Sequence, residues 1–124
     1  MSAMNDGTEI VFLHNPRCSK SRQVRAILEY SGMTFSERRY LEEPLSLREL
    51  QSLGQRLALP PNQWIRAKET AYKDLGLSTS STVQELYSAM AKHPVLMERP
   101  VVIHGDTAVI GRPPENVSAW LNAR

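Results

Sequence analysis

Between Glu9 and Leu41 the spacing of apolar residues changes twice, and this sets the class of fold the chain can adopt. Glu9-Ile10-Val11-Phe12-Leu13 is a short apolar run with β-formers, the pattern of a buried strand. A polar loop follows, His14-Asn15-Pro16-Arg17-Cys18. Val24, Ile27 and Leu28 then fall at i, i+3 and i+4, with Ser21 and Ser31 on the same side. That spacing predicts an amphipathic helix of about three turns, stopped by Gly32. Thr34 to Leu41 alternates loosely and is rich in Phe, Tyr and Arg, which predicts a second strand. Strand, helix and strand at this spacing make a βαβ unit, and such units pair their strands in parallel.

The middle of the chain predicts helices. Ser46 with Glu49 three residues later is a capping-box pattern, and Leu47, Leu50 and Leu53 or Leu57 supply an apolar face. Pro60-Pro61-Asn62 restarts a short helix through Trp64 and Ile65, and Thr70 to Leu75 makes another, closed by Gly76. Ser81 or Thr82 opens a further helix with Val83, Leu86, Tyr87 and Met90 on one face, ending before His93-Pro94. Strand character returns at Pro100-Val101-Val102-Ile103-His104, turns at Gly105-Asp106 and runs back over Thr107 to Ile110. Gly111-Arg112-Pro113-Pro114 breaks the strand, and Pro113 or Pro114 starts a last helix through Val117, Trp120 and Leu121. The order predicts an α/β fold with a small mixed sheet. Its layout is that of a three-layer thioredoxin-like fold with a helical insertion in the middle. Residues 1–8 read as a flexible N-terminal tail and residues 9–124 as one domain.

Composition narrows the function. A chain of 124 residues, 41% hydrophobic and 23% charged, has the make-up of a globular domain. No apolar run approaches the ~20 residues that a bilayer span needs, and Met1 to Thr8 lacks the basic and apolar regions of a secretory signal. Fifteen basic and thirteen acidic side chains give a net charge of +2. The basic residues are scattered, so neither nucleic acid nor membrane is an expected partner. The single cysteine excludes an internal disulfide and a cysteine-rich zinc site. A lone free thiol without an export signal points to the reducing cytoplasm. His93 and His104 lack metal-ligand spacing with each other or with His14, and Trp64, Trp120, Met90 and Met97 are assigned to packing. No apolar stripe is left over, so a monomer is expected.

Cys18 falls at the junction of the first strand and the first helix. The first amides of a helix lack internal partners, and the macrodipole adds partial positive charge there. Both favour a thiolate over a thiol, and both favour a bound oxyanion. An unperturbed thiol is only about 3% ionised at neutral pH. Arg17, Lys20 and Arg22 add nearby positive charge, and His14 is expected to place an imidazole near the sulfur. A lone cysteine is ordinarily a small buried hydrophobe, but Pro16, Arg17, Ser19 and Lys20 are no core environment. Cys18-Ser19-Lys20-Ser21 is C-x-x-S, so Ser21 cannot close a disulfide and an outside thiol must resolve Cys18, with glutathione as the candidate. Ser21 is either a hydrogen-bond partner of the sulfur or a plain helix serine.

His14-Asn15-Pro16-Arg17-Cys18-Ser19-Lys20-Ser21-Arg22 resembles the active-site loop of the glutaredoxin-linked arsenate reductase family. Tyr40-Leu41-Glu42 to Pro44, Arg66 and Tyr72-Lys73-Asp74-Leu75-Gly76-Leu77 resemble its middle block. His93 to Pro100 and Gly111-Arg112-Pro113 resemble its closing motifs, so the likeness runs from about Ile10 to Leu121. The resemblance implies a thioredoxin-like fold with Cys18 as nucleophile and His14 aiding its ionisation. It implies that Arg66, Arg99 and Arg112 bind the oxyanion, and that Pro100 is a cis-proline facing the cysteine. It also implies reduction of arsenate to arsenite through a Cys18 thiolate adduct. Glutathione and glutaredoxin would be partners, with no bound cofactor and no metal. One departure stands out: Ser19-Lys20 occupies the place where the family's arsenate reductases typically carry Gly-Thr. It keeps open a monothiol oxidoreductase acting on a glutathionylated substrate. A binding module like the Spx regulators, which share this fold, is the remaining alternative; they typically carry C-x-x-C where this chain has C-x-x-S.

Overall fold

The computed structural model describes residues 9–123, so the tail expected over residues 1–8 lies outside the described residues. The chain divides into two compact units. One is built from the segments up to Glu43 and from Arg99 onward; the other is Pro44–Glu98.

The first unit holds β1 (Ile10–Leu13), α1 (Ser19–Ser31), β2 (Phe35–Arg38), β3 (Val101–His104), β4 (Thr107–Ile110) and α5 (Glu115–Asn122). The sheet runs β2-β1-β3-β4. β1 is parallel to β2 and antiparallel to β3, and β3 is antiparallel to β4. The βαβ unit, the hairpin and the mixed sheet are those the apolar spacing predicts. Register puts Phe12 opposite Glu37 on one side and Val102 on the other. Successive residues of a strand point to opposite faces. Ile10, Phe12 and Val102 form one buried cluster with Val24 and Leu28 of α1 and Val117 of α5. Val11, Leu13, Val101 and Ile103 alternate to the other face and are buried as well. A sheet covered on both faces reads as unbroken apolar runs, which is why neither Ile10–Leu13 nor Val101–Ile103 alternates with polar residues.

α1 ends where the sequence places its stop. Gly32 adopts φ 75°, a left-handed conformation that a side chain resists, and its amide closes the last turn on Glu29. Gly111 serves a different purpose. A Cβ there would lie 2.6 Å from Val24, 3.1 Å from Pro100 and 3.1 Å from Val117. Its amide donates to the Pro100 carbonyl at 2.8 Å, fixing the segment that carries Arg112 against the one that carries Arg99.

The second unit is the helical insertion: α2 (Leu47–Leu57), α3 (Thr70–Asp74) and α4 (Val83–Lys92), with single 3-10 turns over Pro61–Gln63 and Pro94–Leu96. Ser46 with Glu49, and Thr82 with Glu85, make reciprocal capping boxes. Leu50 and Leu53 of α2 and Leu86, Tyr87 and Met90 of α4 are buried, and Tyr87 meets Trp64 edge-on at 6.1 Å. Val83, expected on that buried face, is 56% exposed. It is the first residue of α4, where the helix end extends past what it packs on. The short helix expected through Trp64 and Ile65 stops after one turn. The chain then extends, pairing Ile65 with Met97, with the Arg66 amide on Leu96 and the Glu98 amide on Trp64. Among the described residues no helix is long and apolar enough to cross a membrane.

Gly111→Ala should overpack the contact between α1, Pro100 and α5. The expected loss is about 1–3 kcal/mol, read as a lower urea midpoint at unchanged slope.

Candidate active site

Cys18 occupies the N-cap position of α1, with extended backbone at φ −95° and ψ 124°. Oxygen side chains usually stand there and accept from the second and third amides of the helix. The Cys18 side chain makes no such cap hydrogen bond, but the Lys20 and Ser21 amides at that end of the helix favour the charged form of its sulfur. The first turn carries no acidic residue, so no carboxylate competes for that positive end. The loop before it is fixed by its own hydrogen bonds. The Cys18 amide donates to the Asn15 carbonyl at 3.0 Å, and the Arg17 amide donates to Asn15 Oδ1 at 3.1 Å.

The side chain of Cys18 is 9% exposed. The neighbours Pro16, Arg17, Ser19 and Lys20 do not predict that burial, which the tertiary fold imposes. Arg112 Nη2 lies 3.8 Å from Sγ. Its Nε donates to the Arg99 carbonyl at 3.1 Å, which aims the fork at the sulfur. Both arginines precede cis-prolines, Pro100 and Pro113. The first was implied by resemblance; the second was not foreseen. Burial pushes the Cys18 thiol up. The Ser21 amide, the Arg99 guanidinium and the Lys20 amide pull it down and prevail, so the thiolate forms below the usual thiol range. The cations that matter are therefore not those adjacent in sequence. Arg22 instead donates to the Pro16 carbonyl at 2.8 Å and braces the loop.

His14 does not hydrogen-bond the sulfur. It is 4% exposed, stacks on Phe12 at 4.7 Å, and its Nδ1 pairs with Ser21 Oγ at 2.7 Å. The Asn15 amide donates to the same Ser21 oxygen at 3.0 Å. Ser21 thus acts on Cys18 through its backbone amide, while its hydroxyl ties His14 and the loop to α1. Neither earlier alternative for Ser21 had this form. Burial lowers the pKa of His14, with Arg25, Arg39 and Arg22 adding to that and Glu37 opposing it.

Arg66 belongs to the second unit. Its guanidinium meets Glu69 through Nη2 at 3.1 Å and Glu98 through Nη1 at 3.1 Å. Neither carboxylate was singled out from the sequence. Glu69, at three residues' distance, was within reach of helix-spacing arguments; Glu98 becomes a neighbour only through the Ile65–Met97 bridge. Among the described residues no group of three His, Cys, Asp or Glu side chains is placed to hold a metal ion.

The chain matches the ArsC family over residues 13–120, a span that includes all of these side chains. The chain belongs to the ArsC family. It is similar to the arsenate reductase of Haemophilus influenzae, 44% identical over 110 residues covering 87% of this chain and 95% of that protein. It is similar to the arsenate reductase of Neisseria meningitidis, 41% identical over 115 residues covering 91% and 98%. Its fold superposes on the structure of an arsenate reductase from Vibrio cholerae with a TM-score of 0.86 and 41% identity, covering 92% of this chain and 98% of that one. ArsC membership and these neighbours bear out the thioredoxin-like fold.

Two outcomes test this ArsC site. Alkylation of Cys18 by iodoacetamide should show a pH midpoint below the ~8.5 of a free thiol, and Arg99→Ala should raise that midpoint. For His14 the folded pKa lies below the unfolded value of 6.5, so the unfolded chain takes the proton first. Its stabilising contribution is complete above about pH 6.5 and is lost as pH falls through the folded value. Urea midpoints measured between about pH 5 and pH 8 should therefore decline toward acid, and His14→Gln should flatten that limb.

Proposed function

We propose that this chain reduces arsenate to arsenite with Cys18 as nucleophile and glutathione, with glutaredoxin, as reductant. One observation carries the reading: a single thiol at the start of α1, with the Ser21 and Lys20 amides favouring its thiolate and the Arg99 and Arg112 guanidinium groups beside it. The names of the similar arsenate reductases support the substrate.

The Cys18 thiolate attacks arsenic(V). The S–As bond forms, and one arsenate oxygen leaves as water after taking protons from solvent. Negative charge on the adduct is met by donors already in place, which need no reorganisation during the step. A guanidinium fork suits a tetrahedral oxyanion and stays charged at any relevant pH. A glutathione thiolate then attacks Sγ of Cys18. The new S–S bond forms as the S–As bond breaks, and its electron pair stays on arsenic, which leaves as arsenite. A second thiol attacks the glutathione sulfur of the mixed disulfide and releases Cys18 as thiolate. Such a cycle suits a reducing compartment, where a lone thiol persists.

Arsenite formation from arsenate, glutathione and glutaredoxin should be present in the wild type and abolished in Cys18→Ser. Arg112→Ala should lower kcat/KM by about 10²–10³. The part that resemblance gives Arg66 is separable: Arg66→Ala should raise the KM for arsenate while leaving the alkylation rate of free Cys18 unchanged. Absence of arsenite in the wild type would sink the arsenate reading.

A further inference from the structure

We propose that a cavity beside the Cys18 loop docks the resolving thiol, and that it takes a small peptide thiol carrying two carboxylates and one ammonium group. This rests on the reading of Cys18 as a nucleophile resolved from outside. The cavity measures about 420 Å³ and lies within the first unit. His14, Pro16 and Arg17 of the loop line it together with Arg39, Leu41 and Glu42, which follow β2. That volume falls in the range of sites that enclose small ligands.

Its charges match such a ligand sign for sign. Arg17 spends its backbone amide on Asn15 Oδ1 and leaves its guanidinium without a partner among the described residues. Arg39 and Glu42 stand 3.9 Å apart with exposed side chains, so their mutual attraction is weak and yields to a ligand. Two guanidinium groups and one carboxylate therefore face two carboxylates and one ammonium. A simple monocarboxylate or a neutral thiol leaves part of this set unused.

His14 supplies the second, independent observation. Its ring is 4% exposed, yet it lines the cavity. Nδ1 is committed to Ser21, so Nε2 is the atom left for an occupant. Ser21 Oγ accepts the Asn15 amide and also pairs with His14 Nδ1. When Ser21 donates to Nδ1, the imidazole proton sits on Nε2 and can meet an anionic group of the ligand. The motif residue that sequence resemblance ties to the sulfur is thus turned instead toward an open, charged cavity.

Cys18 does not itself line the cavity, which borders the loop leading to it. Arg17, in its wall, is bonded directly to Cys18, and adjacent α-carbons lie about 3.8 Å apart. An extended tripeptide spans roughly 10 Å. With its terminal carboxylates on the two arginines, its central thiol is free to meet the neighbouring residue. The ligand thiol loses its proton to solvent, and its thiolate attacks Sγ of Cys18. A new S–S bond forms, and the bond from Sγ to the group it carries breaks, with the electron pair leaving on that group.

The test uses Cys18 capped as its mixed disulfide with thiopyridine, with no arsenate present. Release of thiopyridone is followed by absorbance against glutathione and, separately, against the uncharged dithiothreitol. Glutathione should show saturation in the wild type. Arg39→Glu, at an exposed position, should raise its half-saturation about tenfold while changing the dithiothreitol rate by less than about twofold. A strictly linear dependence on glutathione in the wild type, or an equal effect of the substitution on both thiols, would overturn the proposal. A protein that saturates with glutathione yet forms no arsenite would keep the docking site and discard the arsenate reading. The reverse result would discard the site alone.

Discussion

A nearly buried sulfur whose charged form is nonetheless favoured is the constraint on which this site is built. Burial alone would hold Cys18 as a neutral thiol. Two separate parts of the chain reverse that outcome: α1 brings the Lys20 and Ser21 amides, and the turn before β3 brings Arg99. The turn after β4 adds Arg112, 3.8 Å from the sulfur. None of these would converge without the sheet. β1 delivers the Cys18 loop, β3 lies antiparallel to it and starts beside that loop, and β4 returns next to β3. Leu13 pairs with Val101, and Val101 with Ile110, so the ends of three strands meet at one edge. The apolar cluster under α1 and α5 is therefore not merely support. It fixes the amide end of α1 relative to two arginine-bearing turns.

The same economy appears in how the loop is braced. Ser21 sits on the buried side of α1 and has two jobs, its amide toward the sulfur and its hydroxyl toward His14 and the Asn15 amide. A hydroxyl with two partners resists rotation, so the loop and the helix start move as one piece. Arg112 is likewise tied to the Arg99 backbone before any substrate arrives. Preorganisation of this kind is what makes donors effective toward charge that appears only during reaction.

Much of the fold was legible because its signals are local. A run of apolar residues, a 3.6-residue period, a glycine stop and two capping boxes each involve residues close in sequence, and each element formed where those signals stand. Val83 misled because helical periodicity says which face a residue is on but not where the partner surface ends. Trp64 and Ile65 misled because their pairing partner lies more than thirty residues away, at Leu96 to Glu98. The site was legible in part. Cys18 announced itself by position. Its real cations, Arg99 and Arg112, sit far along the chain, and only family resemblance singled them out. Nearby Arg17 and Arg22 were the obvious choices, and they turn out to face a cavity and brace the loop. The pairs His14–Ser21 and Arg66–Glu98 are tertiary facts that no spacing rule contains.

Intact-mass analysis of a single turnover tests the central claim most directly. The protein is mixed with arsenate and a modest excess of glutathione, without glutaredoxin, and quenched in acid. A Cys18 that attacks arsenate should accumulate as one glutathione adduct per chain, mapped to Cys18, and the adduct should require arsenate. Arsenite appearing with no modification of Cys18 at any time point would contradict the account.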